Sequence, residues 1–307
     1  SAGYNIAEEN FMKNISWINQ LKLRGSYGFL GNQSGAGLYT YSENMNLVNP
    51  VIGNGPRYYF GSGRESYIAA PGAFNPFVTW ETVQNTNLGL DFAAFTNRLT
   101  LTVDVFQRNT RDMLGPTLDI PDMYGTTPPT INNADLRNRG WELSVNWRGK
   151  INDKLSYSIG GLISDYKSVV TKYQNPTKTN PGATWYEGKN VGEIWGYRTN
   201  GLIQNAEQAT AYNLLDRSFL STLAWNPGDV AYTDLNGDGK INRGSNRLGD
   251  MGDMEVIGNS TPRYLYSFNG SLNWKGLSLY MLWQGIGKRD FAPQALDAYF
   301  WGSGALA

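Results

Sequence analysis

Residues 84–110 read QNTNLGLDFAAFTNRLTLTVDVFQRNT, and their pattern decides the fold class. From Leu99 onward, Leu99, Leu101, Val103 and Val105 alternate with Thr100, Thr102 and Asp104. A period of two puts the apolar set on one face of a strand and the polar set on the other. Segment 84–95 follows the rule more loosely and meets 98–110 at Thr96-Asn97. Such a junction between alternating segments predicts a tight antiparallel hairpin.

The same alternation recurs outward along the chain. In 141–148, Trp141, Leu143, Val145 and Trp147 alternate with Glu142, Ser144, Asn146 and Arg148. In 155–164, Leu155, Tyr157, Ile159 and Ile163 alternate with Ser156, Ser158 and Ser164. In 264–274, Tyr264, Tyr266, Phe268, Leu272 and Trp274 alternate with Ser267, Asn269, Ser271 and Asn273. Leu277, Leu279, Met281 and Trp283 share a face in 277–284, and 21–29 follows more loosely. Further short turns fall around Asn152-Asp153 and at Lys275-Gly276. Long connections, about 31–78, 111–138 and 167–262, separate the hairpins and are rich in Gly, Pro, Asn and Thr.

Short turns alternating with long loops are the rhythm of a transmembrane barrel, with the loops outside the cell. Strands of about 9–11 residues suffice to cross when tilted. Trp80, Trp141, Trp147, Trp274 and Trp283 are expected near strand ends, as interfacial girdles. The competing architecture is a soluble all-β protein with one buried face. A polar lumen accounts for a mean hydropathy of −0.43 in a membrane protein. The seven strand-like segments are odd in number and few, so a partial barrel is expected.

Composition excludes much else. Lys+Arg and Asp+Glu are both 26, so no basic nucleic-acid footprint exists. Cysteine and histidine are both absent, which removes disulfides, Cys- or His-ligated zinc and histidine-assisted nucleophiles. The carboxylate pairs Asp119/Asp122 and Asp250/Asp253 sit in Gly/Pro-rich loops with no sign of a cleft, and no enzyme is expected. Glu207 to Leu220 has helical character and is expected as a short surface helix.

One motif carries sharp chemistry. In DLNGDGKIN, 234–242, Asp234, Asn236 and Asp238 occupy positions 1, 3 and 5 of an EF-hand-type calcium loop. Gly239 supplies the sharp turn, the Lys240 carbonyl would be the seventh-position donor, and Asn242 stands at position 9. Ser245 replaces the bidentate Glu at position 12, so Asp250, Asp253 or Glu255 would complete the set. Structural Ca2+ is therefore expected in a surface loop; the competing reading is a plain Asn/Asp/Gly turn. Tyr58, Tyr59, Trp185, Trp195, Tyr197 and Trp225 are candidate contacts for a sugar or peptide, or packing residues of their own loops.

Several segments in order resemble one family. Ile18 to Gly28 with Gly31-Asn32-Gln33, Trp80-Glu81 through Phe92, and Asn138-Arg139-Gly140-Trp141-Glu142-Leu143 are similar to strands of the SusC/RagA-type TonB-linked outer-membrane transporters. So are Val191-Gly192 to Tyr197 with Gly201 to Gln204, Pro227-Gly228-Asp229-Val230 to Ile241, and Gly258-Asn259 with Pro262-Arg263-Tyr264. The resemblance implies one antiparallel barrel domain over 1–307, part of an expected 22-strand barrel. It also implies an N-terminal plug and final strands outside this chain. A SusD-like surface lipoprotein as lid, TonB coupling, and import of oligosaccharides or peptides complete the expectation. Lipid or lipopolysaccharide would surround the wall. The alternative function is a secreted all-β glycan-binding protein with a calcium-braced loop. The two differ in whether Leu99/Leu101/Val103 and Trp141/Leu143/Val145/Trp147 face lipid or a second sheet.

Overall fold

A computed structural model of the chain describes residues 1–33, 42–43, 45, 47–48, 67–68, 72–117, 121, 123 and 128–292. The wall strands are β1 (Ala2–Asn5), β2 (Ile18–Asn32), β5 (Glu81–Ala94), β6 (Leu99–Gly115), β7 (Ile131–Asn152), β8 (Leu155–Lys172), β13 (Arg263–Trp274) and β14 (Leu277–Lys288). They form one antiparallel sheet in the order β1-β2-β5-β6-β7-β8-β13-β14. Short pieces decorate the loops: β3 (Leu47–Val48), β4 (Tyr67–Ile68), β9 (Glu193–Tyr197), β10 (Thr199–Leu202), β11 (Val230–Tyr232) and β12 (Met254–Asn259). Every expected strand is present. β1, paired to β2 alone, was too short to show a period. The sheet does not close, since β1 and β14 stand at its two edges.

Register turns local alternation into two continuous faces. One row runs Leu21, Phe92, Leu101, Val145, Gly161, Phe268, Trp283 across seven strands. The next runs Leu23, Leu90, Val103, Leu143, Ile163, Tyr266. Among the described residues no second sheet covers this face: Leu88, Val105, Ile159 and Trp283 are 65%, 56%, 47% and 52% exposed. Among the described residues, the buried apolar set is small and includes Ala93, Ala94, Ala134 and Val170 on the wall. A sandwich hides its apolar face against another sheet; this sheet presents its apolar face outward, as a wall solvated by lipid does.

Glycine lets large rings lie flat on the pleat. A Cβ on Gly140 would come within 2.5 Å of Phe106, one on Gly149 within 2.4 Å of Tyr157, and one on Gly285 within 2.4 Å of Tyr266. Each ring covers backbone that glycine leaves bare, which restores cross-strand packing.

The short turns match expectation in place and differ in detail. Lys275 and Gly276 both have positive φ, 48° and 87°, the signature of a two-residue type I′ turn between Trp274 and Leu277. At the first hairpin the left-handed run is longer, covering Phe95, Thr96 and Asn97. Phe95 stacks on Trp17 at 5.6 Å and tilts against Trp147 at 6.2 Å, which anchors the turn in an aromatic cluster.

Three expectations change. Trp283 lies mid-strand against Phe268 at 5.7 Å, so it belongs to the apolar belt and not to a girdle. The helix expected over 207–220 is α1 (Ala206–Tyr212); Asn205 caps its start, and Asn213 closes its end. The loop bounds also move: β7 begins at Ile131 and β8 reaches Lys172, because strand pairing outlasts the apolar period. Segment 167–262 thus carries part of β8, four short strands and a helix.

Candidate functional site

The polar face is built by the alternate residues of the same strands. Its centre is an ion cluster spanning β2, β5 and β6. Arg24 Nε donates to Asp91 Oδ2 at 2.7 Å, and Nη2 donates to Asp91 Oδ1 at 3.1 Å and to Asp104 Oδ2 at 3.0 Å. Asp104 stands opposite Glu142 in register, so Arg24 offsets like-charge crowding. A guanidinium can serve two carboxylates at once because its donors form a rigid fork. Sequence reading missed this cluster; only register reveals that Arg24, Asp91 and Asp104 meet. Toward the short turns, a crevice of about 580 Å³ is lined by Arg98, Arg148, Lys150, Tyr157, Ser271 and Asn273.

At the opposite end stands the connection between β8 and β13. In the 234–242 loop, Asp234 Oδ1 accepts from Gly237 N at 2.7 Å, and Oδ2 accepts from Gly239 N at 2.8 Å. Asn236 Oδ1 accepts from Asp238 N at 3.0 Å, and Asp238 Oδ1 accepts from Lys240 N at 2.8 Å. Asp253 is fully buried; it accepts from Leu235 N and from Asn242 N, both at 2.8 Å, and so joins the two ends of the loop. Ile241, also fully buried, is the apolar anchor. Asn242 Oδ1 accepts from Gly244 N, while Asp250 Oδ2 accepts from Ser245 N at 3.2 Å.

The side-chain oxygens of Asp234, Asn236 and Asp238 thus accept from the loop's own backbone N–H groups. The acidic side chains are more dispersed: among the described residues, no three gather closely enough to hold a metal. Glu255 lies on β12 and pairs with Arg198 at 2.5 Å, which engages it away from the loop.

The candidate contact aromatics divide. Tyr58 and Tyr59 lie outside the described residues. Trp225 meets Tyr212 and Tyr232 edge-on, both at 5.8 Å, and Tyr197 meets Tyr232 at 5.8 Å. Arg217 sits over Tyr212 and Trp225 at 5.3 and 5.7 Å. Tyr197 and Trp225 are thus joined through Tyr232, and both stay half-buried. Trp185 tilts against Tyr173 at 5.8 Å, and Trp195 lies on β9 with its indole N–H buried.

A buried lysine organises the base of the loop. Lys189 Nζ donates to the carbonyls of Pro181 and Thr184 at 2.5 and 3.0 Å. Burial lowers its pKa, against the pull of Glu193. Tyr186 donates to Glu193 Oε2 at 3.0 Å; burial first, then that carboxylate, raises the phenol's pKa. Lysine within a Gly-rich loop gives no sequence signal of burial.

A family profile described as "TonB dependent receptor-like, beta-barrel" matches residues 10–304. The chain belongs to this family. It is 28% identical over 294 residues to TonB-dependent receptor P3 of Formosa agariphila, covering 92% of this chain and 27% of the relative. It is 32% identical over 173 residues to TonB-dependent receptor SusC of Bacteroides thetaiotaomicron, covering 55% of this chain and 16% of SusC. Among solved structures, the RagAB peptide transporter superposes with a TM-score of 0.63 at 22% identity, covering 92% of this chain and 28% of that one. The open-open state of the RagAB peptide importer gives a TM-score of 0.65 at 23% identity, covering 92% and 27%. The chain spans about a quarter of the length of these full-coverage relatives.

The open sheet is therefore a section of a transmembrane barrel wall. This TonB-dependent barrel family resides in the outer membrane. Its apolar rows face lipid and its polar rows face the lumen.

Proposed function

We propose that this chain supplies wall and loop of an outer-membrane importer for large nutrients, oligosaccharides or peptides. The carrying observation is a mainly polar face carried across seven strands, interrupted by Leu162, Leu265, Leu282 and Ile286, opposite a mainly apolar one. The likeness to SusC and to RagAB favours a surface lipoprotein partner and TonB-dependent energy. The plug and the remaining strands would come from regions of the polypeptide outside these residues. The secreted glycan-binding reading requires a covered apolar face and finds none among the described residues.

The test is uptake by intact cells of labelled peptides and oligosaccharides, with and without the gene encoding the complete protein. Gene loss should abolish uptake of one class, and a protonophore should do the same in cells that keep the gene. Uptake unaffected by both would overturn the reading.

The 234–242 loop suits calcium as a structural brace. Asp234, Asn236, Asp238, the Lys240 carbonyl and Asn242 would donate, with Asp250 and Asp253 closing the loop behind them. The inward curl set by the Gly237 and Gly239 N–H bonds to Asp234 supports this. The ion would add stiffness to the surface of the transporter, with no part in moving cargo.

A further inference from the structure

We propose that the lipid-side surface of β6, β7 and β8, just beyond the apolar belt, binds the phosphorylated headgroup of an outer-leaflet lipopolysaccharide. The proposal rests on the transmembrane reading of the wall. Its observation is a change of chemistry along one face. Val105 and Trp141 end the apolar rows. The next row on the same face is Gln107, Arg139, Lys167, and the one after is Asn109, Arg137, Val169. Arg111 follows on β6, opposite Thr82.

Three cations, Arg137, Arg139 and Lys167, therefore stand one or two rows beyond a girdle tryptophan, on the side away from the lumen. Cargo in the lumen cannot reach them through the sheet. Arg139 and Lys167 are exposed, and none of the three, nor Arg111, pairs with an acidic side chain among the described residues. Arg139 Nε donates to Gln107 Oε1 at 2.5 Å, which fixes the side chain along the wall. A hollow of about 390 Å³ opens here between Arg111, Arg137, Asn109 and Thr171.

Lys167 also lines a hollow with Glu193, Asp290, Arg263 and Lys288, whose charges balance one another, and two further carboxylates face the region. Asp165 is held by Arg263 at 2.5 Å. Asp135 borders the hollow, accepts from Asp112 N at 3.0 Å and stands opposite Lys172 in register. The surplus is positive. Uncompensated guanidinium groups at this depth complement a phosphate, which they grip through paired charged hydrogen bonds. The apolar rows beneath receive acyl chains. That combination of a phosphate clamp above and an acyl surface below fits a phosphorylated glycolipid, and a soluble anion would leave the lower half unused.

The test uses the complete protein in detergent, titrated with fluorescent lipid A. Binding should weaken about tenfold or more in the Arg137→Gln/Arg139→Gln/Lys167→Gln variant. Wild-type protein should lose affinity to a similar degree for lipid A stripped of its phosphates. The Arg137→Lys/Arg139→Lys variant should retain most of the binding. Heat-modifiable migration on gels reports that each variant forms its barrel. Undiminished binding by the Gln variant, or equal binding of dephosphorylated lipid A, would overturn the proposal. Displacement of lipid A by an equal concentration of inorganic phosphate would also overturn it, because the site would then be a plain anion site. If the barrel reading itself failed, the protein would instead be soluble without detergent and show no heat-modifiable band.

Discussion

The Arg24 guanidinium lies against the bare backbone of Gly89. A Cβ at Gly89 would sit 2.7 Å from Arg24 Cζ and 2.6 Å from Asp104 Oδ1. The glycine is a seat that lets one cation from β2 reach carboxylates on two further strands.

Gly89→Ala should therefore disturb the cluster as well as the strand. We expect a loss of about 1–3 kcal/mol from the forced shift of Arg24 and Asp104. Thermal loss of heat-modifiable migration measures it. In the Arg24→Ala background the same substitution should cost clearly less, since the blocked group is gone. Equal costs in both backgrounds would show that the seat has no role.

Asp253 closes the 234–253 loop from within. Asp253→Ala leaves the N–H groups of Leu235 and Asn242 without their acceptor in a buried place, and should destabilise the loop by about 2–4 kcal/mol. Limited proteolysis should cut within 173–262 while the wall keeps its thermal transition. A co-operative loss of both would mean that wall and loop fold as one unit.

Calcium should act on this same loop. Calorimetric titration of EDTA-treated complete protein should show saturable heat, and protease resistance of 173–262 should rise with added calcium. Asp234→Ala/Asp238→Ala should abolish the heat. Absence of heat in the parent protein would reduce the motif to a hydrogen-bonded turn.

Alkaline pH should loosen the loop. Burial raises the phenol pKa values of Tyr186, Tyr197 and Tyr212 from the ordinary 10.0. A raised folded-state value means that the stabilisation is complete below about pH 10 and is lost as pH climbs through the folded values. Lys189 works the other way: its lowered pKa makes stability rise with pH in the range below its ordinary 10.5. Three tyrosines against one lysine predict net loosening above about pH 10. Tyrosinate absorbance should rise together with protease sensitivity of the loop.

Much of this protein is local and so was legible in its residues. Leu99, Leu101, Val103 and Val105 declare a strand by themselves, because a pleat sends alternate side chains to opposite faces whatever lies beside it. Lys275-Gly276 announces its turn because glycine accepts positive φ without strain. The spacing of Asp234, Asn236 and Asp238 likewise describes a loop that curls on itself.

What lay beyond reach depends on register and on distant partners. Arg24 and Asp104 are 80 residues apart, and only two intervening strand alignments bring them together. Trp283 looks like a girdle residue until pairing with Phe268 places it mid-belt. Arg137, Arg139 and Lys167 look like scattered cations until rows of Cα partners place them above Trp141 on the lipid side. Trp225 and Tyr197 look unrelated until the loop folds both rings against Tyr232. The chain alone determined that there is a two-faced wall with short turns at one end and long loops at the other, since both follow from neighbours in sequence. The tertiary structure decided which charges meet, which rings pack together and where cations face lipid, since contact energy depends on separation in space.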